Sequence, residues 1–202
     1  MIKQISKKLY NFMSRYIKVE PELRNVYIYG IEITVSTALN VDLVMLEAVL
    51  LKSPLSGVCH LVCIIILRSF CGGYHADSYF KCNCLMATFF VISYFGGKML
   101  VYLNLTDFKL LSIFLMLAFL PIYAFAPVKN KYKILSESKA KKCRILSIII
   151  YIILCLFGLC LSYFGFLYGS IIIVTLIEIS GSILVEIYMQ RRHNDENTGN
   201  GS

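Results

Sequence analysis

A short segment of this chain, RSFCGGYHADSYFKCNC from Arg68 to Cys84, gathers a histidine, several thiols and a pair of glycines. A neutral imidazole can take the proton of a nearby thiol, and the resulting imidazolium stabilises the thiolate. His75 and Cys82 are seven residues apart, which on a regular helix leaves them about 20° from facing the same way. The segment therefore contains the two residues that a cysteine peptidase or acyltransferase requires, with His75 as the base and Cys82 as the nucleophile.

Three other residues compete with Cys82 for the role of nucleophile. Cys71 lies four residues before His75 and would share its face of a helix, whereas Cys84 would point to the opposite face from Cys82. Ser78 is also a candidate, but it has no obvious base other than the same histidine. Seven residues of helix separate Cα atoms by about 10.5 Å, so His75 and Cys82 can meet only if the segment bends or closes on a substrate.

Metal binding is the alternative use of these side chains. Five of the eight cysteines and two of the three histidines lie within 26 residues of one another, and thiolate and imidazole ligands suit zinc or Cu(I). The chain has no C-x-x-C pair, however, and C-x-C alone is a weak signal. The remaining thiols, Cys143, Cys155 and Cys160, are expected to be small buried apolar residues. A non-enzymatic membrane carrier for a metal or small molecule would use Cys59, His60, Cys63, Cys71, His75, Cys82 and Cys84.

The chain as a whole has the composition of a membrane protein. Hydrophobic residues make up 58% of it, charged residues 16%, and the mean hydropathy is +0.71, whereas soluble domains have about 45–50% apolar and about 25% charged residues. This excludes a water-soluble domain, a disordered chain and a coiled coil. The predicted fold is all-α, a polytopic membrane protein of about six transmembrane helices. The six apolar runs are residues 27–51, 55–70, 85–103, 108–126, 145–163 and 167–188.

The basic residues predict which ends of the helices face the cytoplasm. Fifteen of the twenty lysines and arginines lie in the N-terminal segment, in the stretch 129–144 or directly after the last apolar run. Cytoplasmic segments carry such an excess, so both termini and the stretch 129–144 are expected inside. Four predicted helices precede that stretch, which agrees with a cytoplasmic N-terminus. Residues 70–84 follow the second of these helices and are therefore expected on the cytoplasmic side too. A net charge of +8 in so apolar a chain indicates membrane boundaries rather than a nucleic-acid partner.

Composition divides the chain into three parts. Residues 1–26 alternate apolar positions at helical spacing with lysines, which predicts an amphipathic helix that lies on anionic lipid or packs on the helix bundle, and not a cleavable signal peptide. Residues 27–188 form the transmembrane domain, with a tight turn flanked by Gly165 and Gly169. Residues 189–202 are polar and glycine-rich, which is typical of a disordered tail.

Carboxylates inside the apolar runs are costly in a membrane and often functional. They could pair with Arg68, Lys98 or Lys109, or they could line a peptide cavity, and the sequence does not decide between these roles. The first run holds Glu32, Asp42 and Glu47, and the last holds Glu178 and Glu186.

The spacing R-x₃-GG-x-H-x₆-C, from Arg68 to Cys82, resembles the signature of the accessory gene regulator B (AgrB) family. These are integral-membrane cysteine endopeptidases of Gram-positive quorum-sensing systems. The likeness extends to the basic amphipathic N-terminus and to the Ala-Pro-Val that precedes the lysine-rich stretch. It implies that His75 is the catalytic histidine and Cys82 the nucleophile. Arg68, Gly72 and Gly73 are the candidates for binding the oxyanion or the substrate.

The resemblance also implies a substrate and a reaction. The substrate is a propeptide (AgrD-like) with an amphipathic leader, a central cysteine-containing signal and an acidic tail. The Cys82 thiolate would attack the carbonyl at the end of the signal, release the tail and leave a thioester. The propeptide's own thiol, or a hydroxyl, would then close a thiolactone or lactone ring without ATP. No metal or other cofactor is expected, the basic segments could attract the acidic tail, and a homodimer in the cell membrane is expected.

Overall fold

The computed structural model describes residues 2–16, 23–73, 78–128 and 136–199, with side chains described up to residue 192. Within these ranges all regular structure is helical and no strand occurs. The helices are α1 (Ile2–Met13), α2 (Arg24–Leu50), α3 (Pro54–Cys71), α4 (Tyr79–Tyr102), α5 (Phe108–Phe125), α6 (Glu137–Tyr163) and α7 (Leu167–Gly199).

Six of these helices, α2 to α7, are long and apolar enough to cross a membrane, which confirms the predicted all-α polytopic fold. Large apolar side chains cover their outer faces, and Leu50, Met116 and Leu156 are each more than half exposed. Such faces would be costly in water, whereas lipid tails are as apolar as these side chains. The bundle is therefore suited to a bilayer.

Two membrane-spanning helices, α4 and α5, separate the α3–α4 connection from the α5–α6 connection. The two connections therefore lie on the same side of the membrane. A backbone hydrogen bond joins the two connections directly, since the Val128 N–H donates to the Cys71 carbonyl oxygen at 3.0 Å. Ala126 and Val128, which follow α5, are both buried. The chain after α5 therefore packs on the end of α3, where the candidate site lies.

Three helix boundaries differ from the apolar runs. α4 begins at Tyr79 rather than near residue 85, and α6 begins at Glu137 rather than near residue 145, because polar residues can extend a helix beyond its apolar part. Ser78, which is exposed, caps α4 by accepting the Lys81 N–H at 3.3 Å. At the other end α7 continues to Gly199, where the composition predicts a disordered tail, since adding residues to an existing helix requires no new nucleus.

α7 is the central helix of the bundle and packs against α3, α4, α5 and α6. Its side chains Ile171, Ile173, Leu176 and Ile183 have no exposed surface. A helix with neighbours on so many sides is held in place by all of them. It can therefore support polar side chains at fixed positions.

Glycines close the α6–α7 hairpin, where a tight turn is predicted. Gly165 has φ +76° in the short connection, a conformation that glycine adopts without strain. In the first turn of α7, Gly169 lies against the α6 backbone, and a Cβ there would be 2.3 Å from the Ser162 nitrogen and 2.6 Å from the Gly158 carbonyl oxygen. The two helices can approach this closely only because Gly169 has no side chain.

α1 packs along α2, with Ser6 and Tyr10 buried. The Arg24 guanidinium carbon lies 5.8 Å from the Tyr10 ring centroid. Packing on the bundle, one of the two roles expected for this helix, is therefore present. Its large apolar side chains outside that contact are exposed, namely Ile5, Leu9 and Phe12, as is Tyr16 beyond its end.

Candidate active site

The glycine pair ends α3 and turns the chain toward α4. The Gly72 N–H donates to the Arg68 carbonyl oxygen at 3.0 Å, and the φ angles of Gly72 and Gly73 are +75° and +146°. Residues with a side chain rarely adopt such values. A Cβ on Gly72 would lie 3.3 Å from the Val128 Cβ, and one on Gly73 would lie 2.9 Å from the Ser182 Oγ of α7. Both the backbone conformation and the close packing therefore require glycine here.

Cys82 lies in the first turn of α4 and is half-buried. Hydrogen bonds hold that turn against α2, because the Tyr79 hydroxyl donates to Glu32 Oε2 at 2.8 Å and the Ser36 hydroxyl donates to Asn83 Oδ1 at 3.2 Å. Glu32, whose role the sequence leaves open, thus binds α4 close to the thiol. Because these bonds lie on both sides of residue 82 in the chain, the thiol has a defined position.

Cys82 lines a cavity of about 420 Å³ between the helices, a volume within the usual range of ligand pockets. Arg68, Gly72 and Gly73 line the same cavity, so the structure brings together four of the five predicted site residues. The fifth, His75, lies outside the described residues. Its pairing with Cys82 stays a prediction from the sequence.

Arg68 supplies positive charge at this cavity. Its guanidinium interacts electrostatically with Cys82, Cys71 and Glu186, and its Nη1 lies 3.5 Å from the Met86 sulfur. In surroundings of low dielectric constant, a fixed cation can stabilise negative charge that develops on a substrate carbonyl oxygen. The position of Arg68 is compatible with the role predicted for it. Glu186, also left open by the sequence, lines the same cavity.

The cavity distinguishes among the candidate thiols. Cys82 and Cys143 line it, whereas Cys71 and Cys84 do not. Cys71 is fully buried, with its Sγ 3.2 Å from the Gly72 carbonyl oxygen, and Cys84 is exposed. Cys143, expected to be a small buried apolar residue, is thus a second thiol at the cavity, because the fold brings α6 to it.

A buried polar network lies deeper in the bundle, and the sequence does not predict it. His60 Nδ1 is 3.1 Å from Ser93 Oγ and 3.0 Å from Thr175 Oγ1. The Ser93 hydroxyl in turn donates to Glu178 Oε2 at 2.6 Å. The network joins α3, α4 and α7. Its visible signals in the sequence are Glu178, a carboxylate inside an apolar run, and His60, which the metal-binding alternative names.

The described residues contain no group of three or more His, Cys, Asp or Glu side chains that could hold a metal ion. Among the residues expected of a metal carrier, His60 contacts hydroxyl groups, Cys71 is buried and Cys84 is exposed. The cavity lined by Cys82 is the feature of the described chain that best supports chemistry.

The chain is similar to known proteins over most of its length. It matches the family Accessory gene regulator B (AgrB) over residues 6–188. It is 28% identical over 148 residues to putative AgrB-like protein 2 of Clostridium perfringens (strain 13 / Type A), an alignment that covers 70% of this chain and 68% of that relative. No solved structure matches the chain. The family match includes the glycine pair, Cys82 and nearly all of the six membrane-spanning helices.

Proposed function

The chain belongs to the accessory gene regulator B family, and on that premise we propose that it is a membrane cysteine endopeptidase that removes the C-terminal tail of a quorum-sensing propeptide and promotes its cyclisation. Family membership supports a role in processing the peptide of the agr quorum-sensing system. The observation that carries the finer proposal is the half-buried Cys82, which lines one cavity with Arg68, Gly72 and Gly73. A thiol beside a cation in a peptide-sized cavity suits acyl transfer from a peptide.

The first step forms an acyl-enzyme. His75 takes the thiol proton, and the Cys82 sulfur attacks the carbonyl carbon at the end of the signal region. The carbonyl oxygen becomes negatively charged, and the Arg68 guanidinium stabilises it electrostatically. The C–N bond then breaks, the nitrogen of the tail takes a proton from the His75 imidazolium, and the signal stays bound to Cys82 as a thioester.

The second step closes the ring. A thiol or hydroxyl of the propeptide attacks the thioester carbonyl, its proton passes to His75, and Cys82 leaves as the thiolate. When a thiol attacks, one thioester replaces another, so the exchange is nearly isoenergetic and needs no ATP. The product is a thiolactone, or a lactone when a hydroxyl attacks.

The propeptide reaches this site from the cytoplasmic side of the cell membrane in our proposal. The α3–α4 connection shares its side of the membrane with the start of α6, whose first two turns carry Lys139, Lys141, Lys142 and Arg144. Cytoplasmic segments carry such an excess of basic residues, and positive charge attracts an acidic tail. The propeptide and the lipid bilayer are thus the partners we propose, and the homodimer stays a prediction.

Mass spectrometry of the detergent-solubilised protein, mixed with the propeptide encoded beside its gene, tests this function. We expect released tail and a thioester adduct on the peptide that contains Cys82. Cys82→Ala and His75→Ala should each lower tail release by about a thousandfold or more, while the protein still inserts and accumulates. Without the nucleophile or its base, no acyl-enzyme forms.

Two further variants separate Cys82 from the other thiols. Cys84 lies outside the cavity, so Cys84→Ala is the matched control and should release the tail as the wild type does. Cys143 lines the cavity, so an adduct on the Cys143 peptide, with full activity in Cys82→Ala, would make Cys143 the nucleophile. Folded wild-type protein that gives neither adduct nor released tail would contradict the proposal. It would favour the alternative function, a non-enzymatic membrane carrier for a metal or small molecule.

A further inference from the structure

Two buried hydrogen-bond acceptors face the cavity without a partner among the described residues. They are His60 Nε2 and Asn40 Oδ1, and both residues line the cavity that Cys82 also lines. His60 is only 1% exposed. Buried polar atoms normally have a hydrogen-bond partner, so two such atoms at one cavity point to a ligand that supplies the missing donors.

The hydrogen bonds made by His60 Nδ1 determine whether Nε2 of the same ring is a donor or an acceptor. The single proton of the Ser93 hydroxyl goes to Glu178 Oε2 at 2.6 Å. The Thr175 hydroxyl donates to the Ile171 carbonyl oxygen at 2.8 Å, which is the shortest of its contacts. We therefore assign the ring proton of His60 to Nδ1, which donates to the two hydroxyl oxygens. In the neutral ring, Nε2 is then an acceptor that needs an N–H or O–H donor.

The walls between these acceptors and the thiol are mainly apolar. Val41, Val44, Leu61 and Ile64 contribute to them, and the charged lining side chains are Arg68 and Glu186. A ligand in this part of the cavity therefore carries apolar side chains and no charge, because burying a charge between apolar walls is costly.

The length of the cavity suits a short extended peptide. His60 and Arg68 are eight residues apart on α3, which corresponds to about 12 Å along the helix. An extended chain covers that distance in about four residues. Every residue except proline offers one backbone N–H, so such a segment has enough donors for both free acceptors.

We propose that this cavity binds the three or four apolar residues that directly precede the bond attacked by Cys82, with backbone N–H groups donating to His60 Nε2 and Asn40 Oδ1. This inference rests on the proposed function. The residues before the bond stay attached to Cys82 as the thioester, so the enzyme must hold them until the ring closes. The charged tail leaves from the opposite side of the bond and is unsuited to these walls.

Binding to a Cys82→Ala protein tests the proposal apart from catalysis. The probe is the propeptide encoded beside the gene, with a fluorophore on its leader, titrated by anisotropy in detergent. Asn40→Leu removes an acceptor that has no partner among the described residues, so it should leave the unfolding temperature unchanged and weaken binding about tenfold. His60→Asn keeps an amide N–H where Nδ1 lies but removes Nε2, and it should weaken binding similarly. Thr88→Val, which removes an exposed hydroxyl of α4, is the control and should bind as the parent does.

Photocrosslinking shows which part of the peptide enters. A photoreactive leucine analogue two residues before the cleaved bond should crosslink to α2 and α3, whereas the same analogue in the tail should not. Unchanged binding by both Asn40→Leu and His60→Asn, or crosslinks from the tail probe alone, would overturn this inference. The proposed function would still stand in that case if wild-type protein releases the tail and Cys82→Ala does not.

Discussion

The α6–α7 hairpin and the α3–α4 connection use glycine in opposite ways. In the hairpin, Gly169 lets two helix backbones touch and leaves no space between them. At the connection, Gly72 and Gly73 turn the chain sharply and line a cavity between the helices. Protein interiors are normally close-packed. The close-packed hairpin therefore acts as the scaffold, and the cavity is where the protein can bind a substrate.

α7 belongs to both regions. Its first turn carries Gly169, which contacts α6, and its middle carries Thr175 and Glu178 of the buried polar network. Further along, Ser182 lies beside the glycine pair and Glu186 lines the cavity. Variants along this one helix and its contacts can show whether the scaffold and the site fail together or separately.

Gly169→Ala should have the largest effect, because it acts on the scaffold. A Cβ would lie 2.3 Å from the Ser162 backbone nitrogen, so the two helices must separate, at a cost of about 3 kcal/mol or more. We expect a lower unfolding temperature, less protein in the membrane and loss of tail release. Circular dichroism during heating in detergent and quantitative immunoblotting of membranes measure the first two.

Gly181→Ala is the matched control for this variant. Gly181 lies on the same helix, but a Cβ there meets nothing within 4 Å, and alanine favours a helix over glycine by about 0.5–1 kcal/mol. The variant should accumulate and unfold like the wild type or slightly better. If Gly169→Ala also behaved like the wild type, the closed scaffold inferred for α6 and α7 would be wrong.

Gly73→Ala should damage the site while sparing the scaffold. An alanine at φ +146° is strained by about 1–3 kcal/mol, and its Cβ would displace the Ser182 hydroxyl from the Ile179 carbonyl oxygen, which it contacts at 2.7 Å. The turn beside Cys82 would shift, and we expect tail release to fall by about a hundredfold. The unfolding temperature should fall less than in Gly169→Ala, and a larger fall would show that site and scaffold are not separable.

The sequence predicts the scaffold better than the site. Apolar runs predict all six membrane-spanning helices, because crossing a bilayer imposes a length and a composition on each one. The spacing from Arg68 to Cys82 also predicts four residues that share one cavity. The polar start of α4 is missed, because hydropathy does not reveal that the helix begins at Tyr79, before its apolar part.

The features that the sequence does not predict depend on contacts between residues that are far apart in the chain. His60 and Thr175 are 115 positions apart, and Tyr79 and Glu32 are 47 apart. Each residue looks ordinary in its own helix, since only the packing of the helices brings the partners together. The same holds for Cys143, which reaches the cavity only because α6 packs against α3.

Tyr79→Phe should have the smallest effect of the series and the most specific one. The Tyr79 hydroxyl donates to Glu32 Oε2 at 2.8 Å, and its loss loosens the turn of α4 that carries Cys82. We expect kcat for tail release to fall about three- to tenfold, with KM unchanged, because Tyr79 does not line the cavity. Tyr102→Phe, at a tyrosine that is 85% exposed, is the control and should leave both constants unchanged.

A conservative change at the partner residue separates positioning from simple loss of stability. Glu32→Gln keeps an oxygen that can accept the Tyr79 hydroxyl, so it should retain most of the kcat that Tyr79→Phe loses. If Tyr79→Phe instead raised KM at constant kcat, the bond between α2 and α4 would shape the cavity rather than hold the thiol. The boundary between scaffold and site would then lie within α4 itself, between residues 79 and 82.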